Sequence, residues 1–269
     1  KKDIGHIIDD YEDTRISYIS HDKNRGGSAA RNTGASASSG EYIAFLDSDD
    51  EWKRSKLEKQ ITYLEDKTDD WVACYCDAKP IRTGFMKTLR KFVSSYQLLP
   101  YRQKSSQDRN SPEGSDELVP ELLTLQLSTG GSSAIVVNRQ TYEKIGGFDE
   151  SFPRHQDLEF MIRLAKAGNV AYLDEKLVLK YESSSPDPRS VEIAKKKYTD
   201  KFEEDIEKIE GGWKRYREIH SRNLGEIYLR NGHFLTGIEY LRMSDASISS
   251  DFLPICWDTA IGISKKFNL

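Results

Sequence analysis

The chain has 269 residues, 37% hydrophobic and 31% charged, enough apolar surface for one large α/β domain with or without an appendage. Its 40 basic against 44 acidic side chains leave a net charge of −4, which argues against nucleic acid as a partner. No run nears the roughly 18 apolar residues of a membrane span, and no signal-peptide pattern is visible. Three cysteines (Cys74, Cys76 and Cys256) are an odd number, with CYC too tight for a metal knuckle. They fit structural thiols in a reduced compartment, the cytoplasm. The chain starts with Lys1 rather than methionine, as a fragment, a trimmed or a processed form does.

Residues 2–11 read as a helix with Ile4, Ile7, Ile8 and Tyr11 on one face. Residues 15–20 alternate as a strand does. "NRGGSAARNTGASASSG" is a glycine-rich turn leading into a small-residue helix that ends near Gly40. The apolar run 42–46 reads as a short strand buried on both faces, followed by a helix over 54–67 and a strand over 71–76. This rhythm predicts a mainly parallel α/β sheet.

Residues 79–109 then change character. Lys79, Arg82, Lys87, Arg90, Lys91, Arg102, Lys104 and Arg109 face a single acid, Asp108. Residues 99–120, rich in Ser, Pro and Asp, read as a loop. A helix over 121–127, a strand over 133–138 and a helix over 139–145 lead to the turn "GGFDESF". The helix over 156–167 carries Leu158, Met161, Ile162 and Ala165 on one stripe, and Gly168 closes it. A last strand or two cover 171–181, and the rest is helical. There Leu224, Gly225, Tyr228, Gly237, Leu241 and Ser244 are spaced as in one tetratricopeptide-like hairpin, which needs a neighbour to pack on. The expected division is 1–184 and a helical extension, 185–269.

Ligands of open parallel sheets collect beyond the carboxyl ends of the strands, where "IAFLDSDDEW" places Asp47 and Asp49. Two carboxylates one residue apart suit Mg²⁺ shared with substrate phosphates, or Mn²⁺; the alternative is a solvated turn with Asp50 or Glu51 capping the next helix. Gly26 and Gly27 permit close backbone approach to an anion at the following helix, with Arg31 as a clamp. An ordinary glycine turn with Arg31 in a surface ion pair is equally open. Asp157 opens an amphipathic helix, either as a cap or as a general base aimed into a cleft. His155 is a further polar contact or simply solvated.

Taken in order and spacing, "NRGGSAARNTG", "GEYIAFLDSDDEW" and "GGSSAIVVNRQTYEKIGGFDESFPRHQDLEFMIRLAKAG" resemble the inverting family 2 glycosyltransferases of GT-A fold, over about two-thirds of the chain. The resemblance implies a Rossmann-like α/β domain that moves a sugar from a UDP-, GDP- or dTDP-sugar to a carbohydrate or lipid-linked acceptor, in polysaccharide or glycolipid synthesis. Asp47 and Asp49 match the DxD that holds Mn²⁺ or Mg²⁺ on the donor diphosphate. Arg31, with Gly27 and Asn32, falls in the donor pocket. Gly131, Ser132, Ser133, His155 and Gln156 fall around the acceptor. Asp157 matches the base, although Gln156 replaces the Glu that many members carry before it.

Family members begin with a strand resembling "VSVIIPTYN" and a second ending in "DDGS". Neither is in this chain, so the resemblance implies that a few tens of residues of the nucleoside pocket precede Lys1 and that this polypeptide alone is nearly inactive. A degenerate transferase acting as a binding module and a metal-dependent nucleotidyltransferase are the alternatives. The basic stretch 79–109, interleaved with Phe85, Leu89, Phe92 and Leu98, is either a solvated insertion or a peripheral contact with the anionic inner face of the cell membrane.

Overall fold

The computed structural model describes residue 8 and residues 11–68, 70–81, 113–181 and 185–244. The expected helix over 2–11, the basic stretch beyond Ile81 and Cys256 lie outside these, apart from Ile8 and Tyr11. Helix α1, Gly26–Ala37, starts on the glycine pair itself, with Gly26 at φ +87°, so the two glycines are its first turn rather than a loop before it. Strand β1 is Tyr42–Ala44 and β2 is Asp50–Trp52. Helix α2, Lys56–Glu65, buries Lys56, Gln60 and Leu64, spaced four apart on one face. Strand β3 runs from Trp71 to Ile81 and helix α3 from Leu118 to Leu123. A 3-10 turn, Ser132–Ala134, leads into β4, Ile135–Asn138, and α4, Arg139–Lys144. Helix α5 is Gln156–Ala167 and β5 is Asn169–Tyr181. Four helices follow: α6, Pro188–Lys201; α7, Glu203–Glu207; α8, Gly212–Arg230; and α9, Phe234–Met243.

The strands form one mixed sheet in the order β1-β4-β3-β5-β2, with helices packed against it: an α/β fold. Among these strands only β3–β5 is parallel; β1–β4, β3–β4 and β2–β5 are antiparallel. The expected mainly parallel sheet is corrected accordingly. Alternation of strands and helices does not report the direction in which each strand enters the sheet, and no strand signal marks β2 within the acidic run. Strand β1 is a sheet edge among the described residues; Ile43 is buried in the main core on one face, and Tyr42 and Ala44 are partly buried against a second cluster with Cys74, Val136 and Ala171 on the other. Residues 15–20 form no strand, and Ile16, Tyr18 and Ile19 are exposed. An alternating pattern becomes a strand only where a neighbour offers a ladder and a face to pack on. Within the expected loop over 99–120, residues 118–120 already belong to α3.

The core gathers around α5, where Phe160, Met161, Ile162 and Leu164 are fully buried. Phe148 stacks on Phe160 with centroids 4.2 Å apart, and Phe45 meets Phe148 edge-on at 5.1 Å. Each fully buried ring contributes about 2–3 kcal/mol by area. Ala194, Tyr198, Phe202, Ile206 and Tyr216, from α6 to α8, join the same cluster. The C-terminal helices therefore share the core of the sheet. Among the described residues no helix is long and apolar enough to cross a membrane.

Candidate active site

The chain leaves β1 and turns sharply: the amide of Asp50 donates to the carbonyl of Asp47 at 3.0 Å, a four-residue turn that feeds directly into β2. This turn brings carboxylate oxygens of Asp47, Asp49 and Asp50 within 4.8 Å of one another. Asp47 is the most tethered. It pairs with Arg31, its two oxygens accept from Ser132 Oγ at 3.2 and 3.0 Å, and its amide donates to Ser133 Oγ at 3.0 Å. The Asp50 side chain is only 4% exposed, and its Oδ2 has no hydrogen-bond partner.

Arg31 reaches Asp47 because Gly27 lies under it: a β-carbon there would stand 2.9 Å from Arg31 Nη1. Its guanidinium also lies 5.3 Å from the centroid of the Phe148 ring. Asp157, the second residue of α5, has its charge complemented by the helix N-terminus. Its Oδ2 lies 3.4 Å from the point where Gly131 would carry a β-carbon. Gly131 has φ +77°, a left-handed conformation that glycine adopts without strain.

The acidic turn, Arg31 and Asp157 line one cleft of about 350 Å³. Of the candidates from sequence, Arg31, Asp47, Asp49, Ser132, His155, Gln156 and Asp157 line it. Gly27, Asn32 and Ser133 do not. Asn32 is committed to the turn after α4: its Oδ1 accepts from the Phe148 amide at 2.9 Å and Tyr142 OH at 2.6 Å, and its Nδ2 donates to the Phe148 carbonyl at 2.9 Å and to Glu150. Ser133 is fully buried and acts beneath the cleft, on the Asp47 amide.

His155 holds a left-handed backbone, φ +59°, uncommon for a side chain of that size. Its Nε2 is buried without a partner. Burial pushes its pKa down, with the charge of Asp157 opposing the shift.

The sequence reading missed Asp50, Lys180 and Arg154, which also line the cleft. Asp50, a candidate helix cap in the alternative reading of the acidic turn, is instead the first residue of β2. Lys180 carried a signal, because it ends the last strand, where ligands of α/β sheets collect.

Residues 1–120 match the family model described as Glycosyl transferase family 2. The chain is similar to the amylovoran biosynthesis glycosyltransferase AmsB of Erwinia amylovora, 29% identical over 161 residues, 59% of this chain and 47% of that protein. It is also similar to the UDP-Glc:alpha-D-GlcNAc-diphosphoundecaprenol beta-1,3-glucosyltransferase WfgD of Escherichia coli, 44% identical over 55 residues, 20% of this chain and 22% of that protein. The chain thus spans less than half the length of these curated relatives. Among solved structures it is similar to S. aureus TarS 1-349 in complex with UDP-GlcNAc, with 12% identity, 98% of this chain and 79% of that one covered, and a TM-score of 0.49.

Proposed function

We propose, from the premise that the chain carries a glycosyltransferase family 2 domain over residues 1–120, that the enzyme it belongs to transfers a sugar from a nucleotide-activated donor to an acceptor hydroxyl, with inversion at the anomeric carbon and with Mn²⁺ or Mg²⁺ as cofactor, this polypeptide alone being weakly active or inactive. The observation that carries this reading is the meeting of Asp47, Asp49 and Asp50 with Asp157 on one cleft. Three clustered carboxylates, one with a buried oxygen lacking a partner, fit a hard divalent cation. Asp47 and Asp49 would hold it, with Asp50 as the third carboxylate of the set. When bound, the metal neutralises the donor diphosphate and serves as Lewis acid and template.

Arg31 binds diphosphate oxygens in a fork geometry. Asp157 accepts the proton of the acceptor hydroxyl as that oxygen attacks the anomeric carbon from the face opposite the leaving nucleoside diphosphate. Ser132, His155 and Gln156 line the cleft and are assigned to the acceptor. Residues 185–244 are assigned to a helical extension, its tetratricopeptide-like hairpin braced on the catalytic unit; residues 245–269 of the expected extension lie outside the described residues. The acceptor is a carbohydrate or a lipid-linked sugar, a choice supported by the diphosphoundecaprenol named for WfgD.

Titration calorimetry of UDP, GDP and dTDP with Mn²⁺ into the wild-type chain and Asp49→Ala tests this. Metal-dependent binding of one nucleotide, lost in the variant, is the expected result. No binding of any of the three to the wild type overturns it. The anomeric configuration of the product, read by NMR, tests inversion separately.

A further inference from the structure

Lys180 stands opposite Asp50 in the β2–β5 ladder. Its ammonium is 3.5 Å from Asp50 Oδ2, longer than the roughly 2.7–2.9 Å of a charge-assisted hydrogen bond. Asp50 Oδ2 has no hydrogen-bond partner, so the pair is held by charge alone. The Lys180 side chain remains 36% exposed and lines the cleft. A β-carbon on Gly131 would sit 2.7 Å from its Nζ and 3.4 Å from Asp157 Oδ2. The missing side chain at Gly131 thus opens the space in which the ammonium stands, between the acidic turn and Asp157.

We propose that Lys180 is a diphosphate ligand held in reserve on Asp50 and turned onto the donor's phosphates when the three carboxylates take up a divalent cation. This rests on the reading of the cleft as a nucleotide-sugar site. Once Asp47, Asp49 and Asp50 share a metal, the attraction that keeps Lys180 on Asp50 is cancelled. The diphosphate becomes the nearest negative charge. A lysine ammonium on a flexible four-carbon stem, with three rotatable donors, makes that move without disturbing the strand that carries it. Metal and nucleotide then favour each other's binding, and Lys180 carries part of the coupling.

The test is calorimetry on the wild type, Lys180→Met and Lys180→Arg, first with Mn²⁺ alone and then with UDP, GDP or dTDP in the presence and absence of Mn²⁺. Lys180→Met is expected to bind Mn²⁺ alone several-fold more tightly, because no ammonium competes for Asp50. It is expected to bind the nucleotide in Mn²⁺ about tenfold more weakly, the size of one charge-assisted hydrogen bond. Lys180→Arg restores most of the nucleotide affinity. A cross-strand ion pair that only braces the sheet would leave nucleotide affinity unchanged or weaken Mn²⁺ binding in Lys180→Met, and either result overturns the proposal. A wild type that takes no nucleotide in Mn²⁺ overturns the functional reading itself, before any variant is compared.

Discussion

Trp52 donates its indole N–H to the carbonyl of Ser133 at 2.7 Å, and that bond pins the end of β2 to the turn before β4. Gln60 supports it from α2, donating to the carbonyls of Ala134 and Cys74 at 3.0 Å each. Ser133 in turn accepts from the Asp47 amide. Trp52→Phe keeps an aromatic ring and removes the donor, leaving a carbonyl unpaired at a cost of about 1–3 kcal/mol. The expected outcome is a lower urea midpoint together with weaker Mn²⁺ binding, because Asp47 loses its backing. Unchanged Mn²⁺ affinity would show that the bond braces the sheet only.

Lys56 lies 4.3 Å from the Trp52 ring centroid, fully buried, its ammonium without a hydrogen-bond partner. Burial pushes its pKa from 10.5 down to about 8, opposed in part by Cys76 and Cys74. Below pH 8 both folded and unfolded chains hold the proton, and the buried charge costs its full amount. Between pH 8 and 10.5 only the unfolded chain holds it, so stability rises with pH. Lys56→Met is therefore expected to gain on the order of 2 kcal/mol at pH 7, a gain that shrinks above pH 8. Urea midpoints across that range check both the sign and the window.

Glu159 is a fully buried carboxylate, held by Arg163 from its own helix and by Lys201 Nζ, from α6, at 2.7 Å. Lys201 also reaches Asp149 Oδ2 at 2.7 Å, tying α6 to the turn after α4. Burial works against ionisation of Asp149, but hydrogen bonds from Lys201 and Ser151 outweigh it and hold the pKa at about 2 instead of 3.8. That depressed value contributes stability above pH 3.8, lost as the pH falls through about 2. Lys201→Met is expected to cost about 2 kcal/mol near neutrality, below the range for breaking a fully buried pair because Lys201 is partly exposed. Its acid unfolding, followed by circular dichroism, should begin at higher pH than in the wild type.

Gly225 on α8 and Gly237 on α9 let those two helices touch backbone to backbone. A β-carbon on Gly237 would lie 2.6 Å from Leu229 Cγ and 3.1 Å from the Gly225 carbonyl oxygen. Alanine gains about 1 kcal/mol of helix propensity over glycine, but overpacking of this kind costs about 1–3 kcal/mol. The clash wins, so Gly237→Ala should lower the melting temperature. A rise would show that the hairpin has room to spread.

Asp157→Asn removes the proposed proton acceptor while keeping size and hydrogen-bonding shape. Transfer from the donor identified by calorimetry should slow by about 10²–10⁴-fold, with nucleotide affinity in Mn²⁺ unchanged within about twofold. A matching loss of nucleotide affinity would place Asp157 in donor binding rather than in proton transfer.

Several elements were legible along the chain because their signals are local. The helix over 156–167 agrees with α5 at both ends, set by its apolar spacing and by Gly168. Its stripe did not foresee that Phe160 and Leu164 are buried as fully as Met161, since only packing from α3 and the C-terminal helices encloses the helix on more than one side. Residues 15–20 carried a strand's alternation and found no partner, because pairing is a property of two segments and alternation of one.

The sequence by itself singled out charged residues that the fold gathers on one cleft: the run of acids after β1, Arg31 four residues beyond the glycine pair, and Asp157 at a helix start. Spacing along the chain and the intrinsic preferences of glycine, carboxylates and apolar side chains suffice for that. Only the tertiary structure decided which of them meet. It took Asn32 out of the cleft and into a turn, and set Ser133 beneath Asp47 rather than on the cleft wall. It also put Lys180 across from Asp50. The physical reason is strand direction and register: β2 runs antiparallel to β5, so residues 130 positions apart become direct neighbours, and no local pattern encodes that pairing.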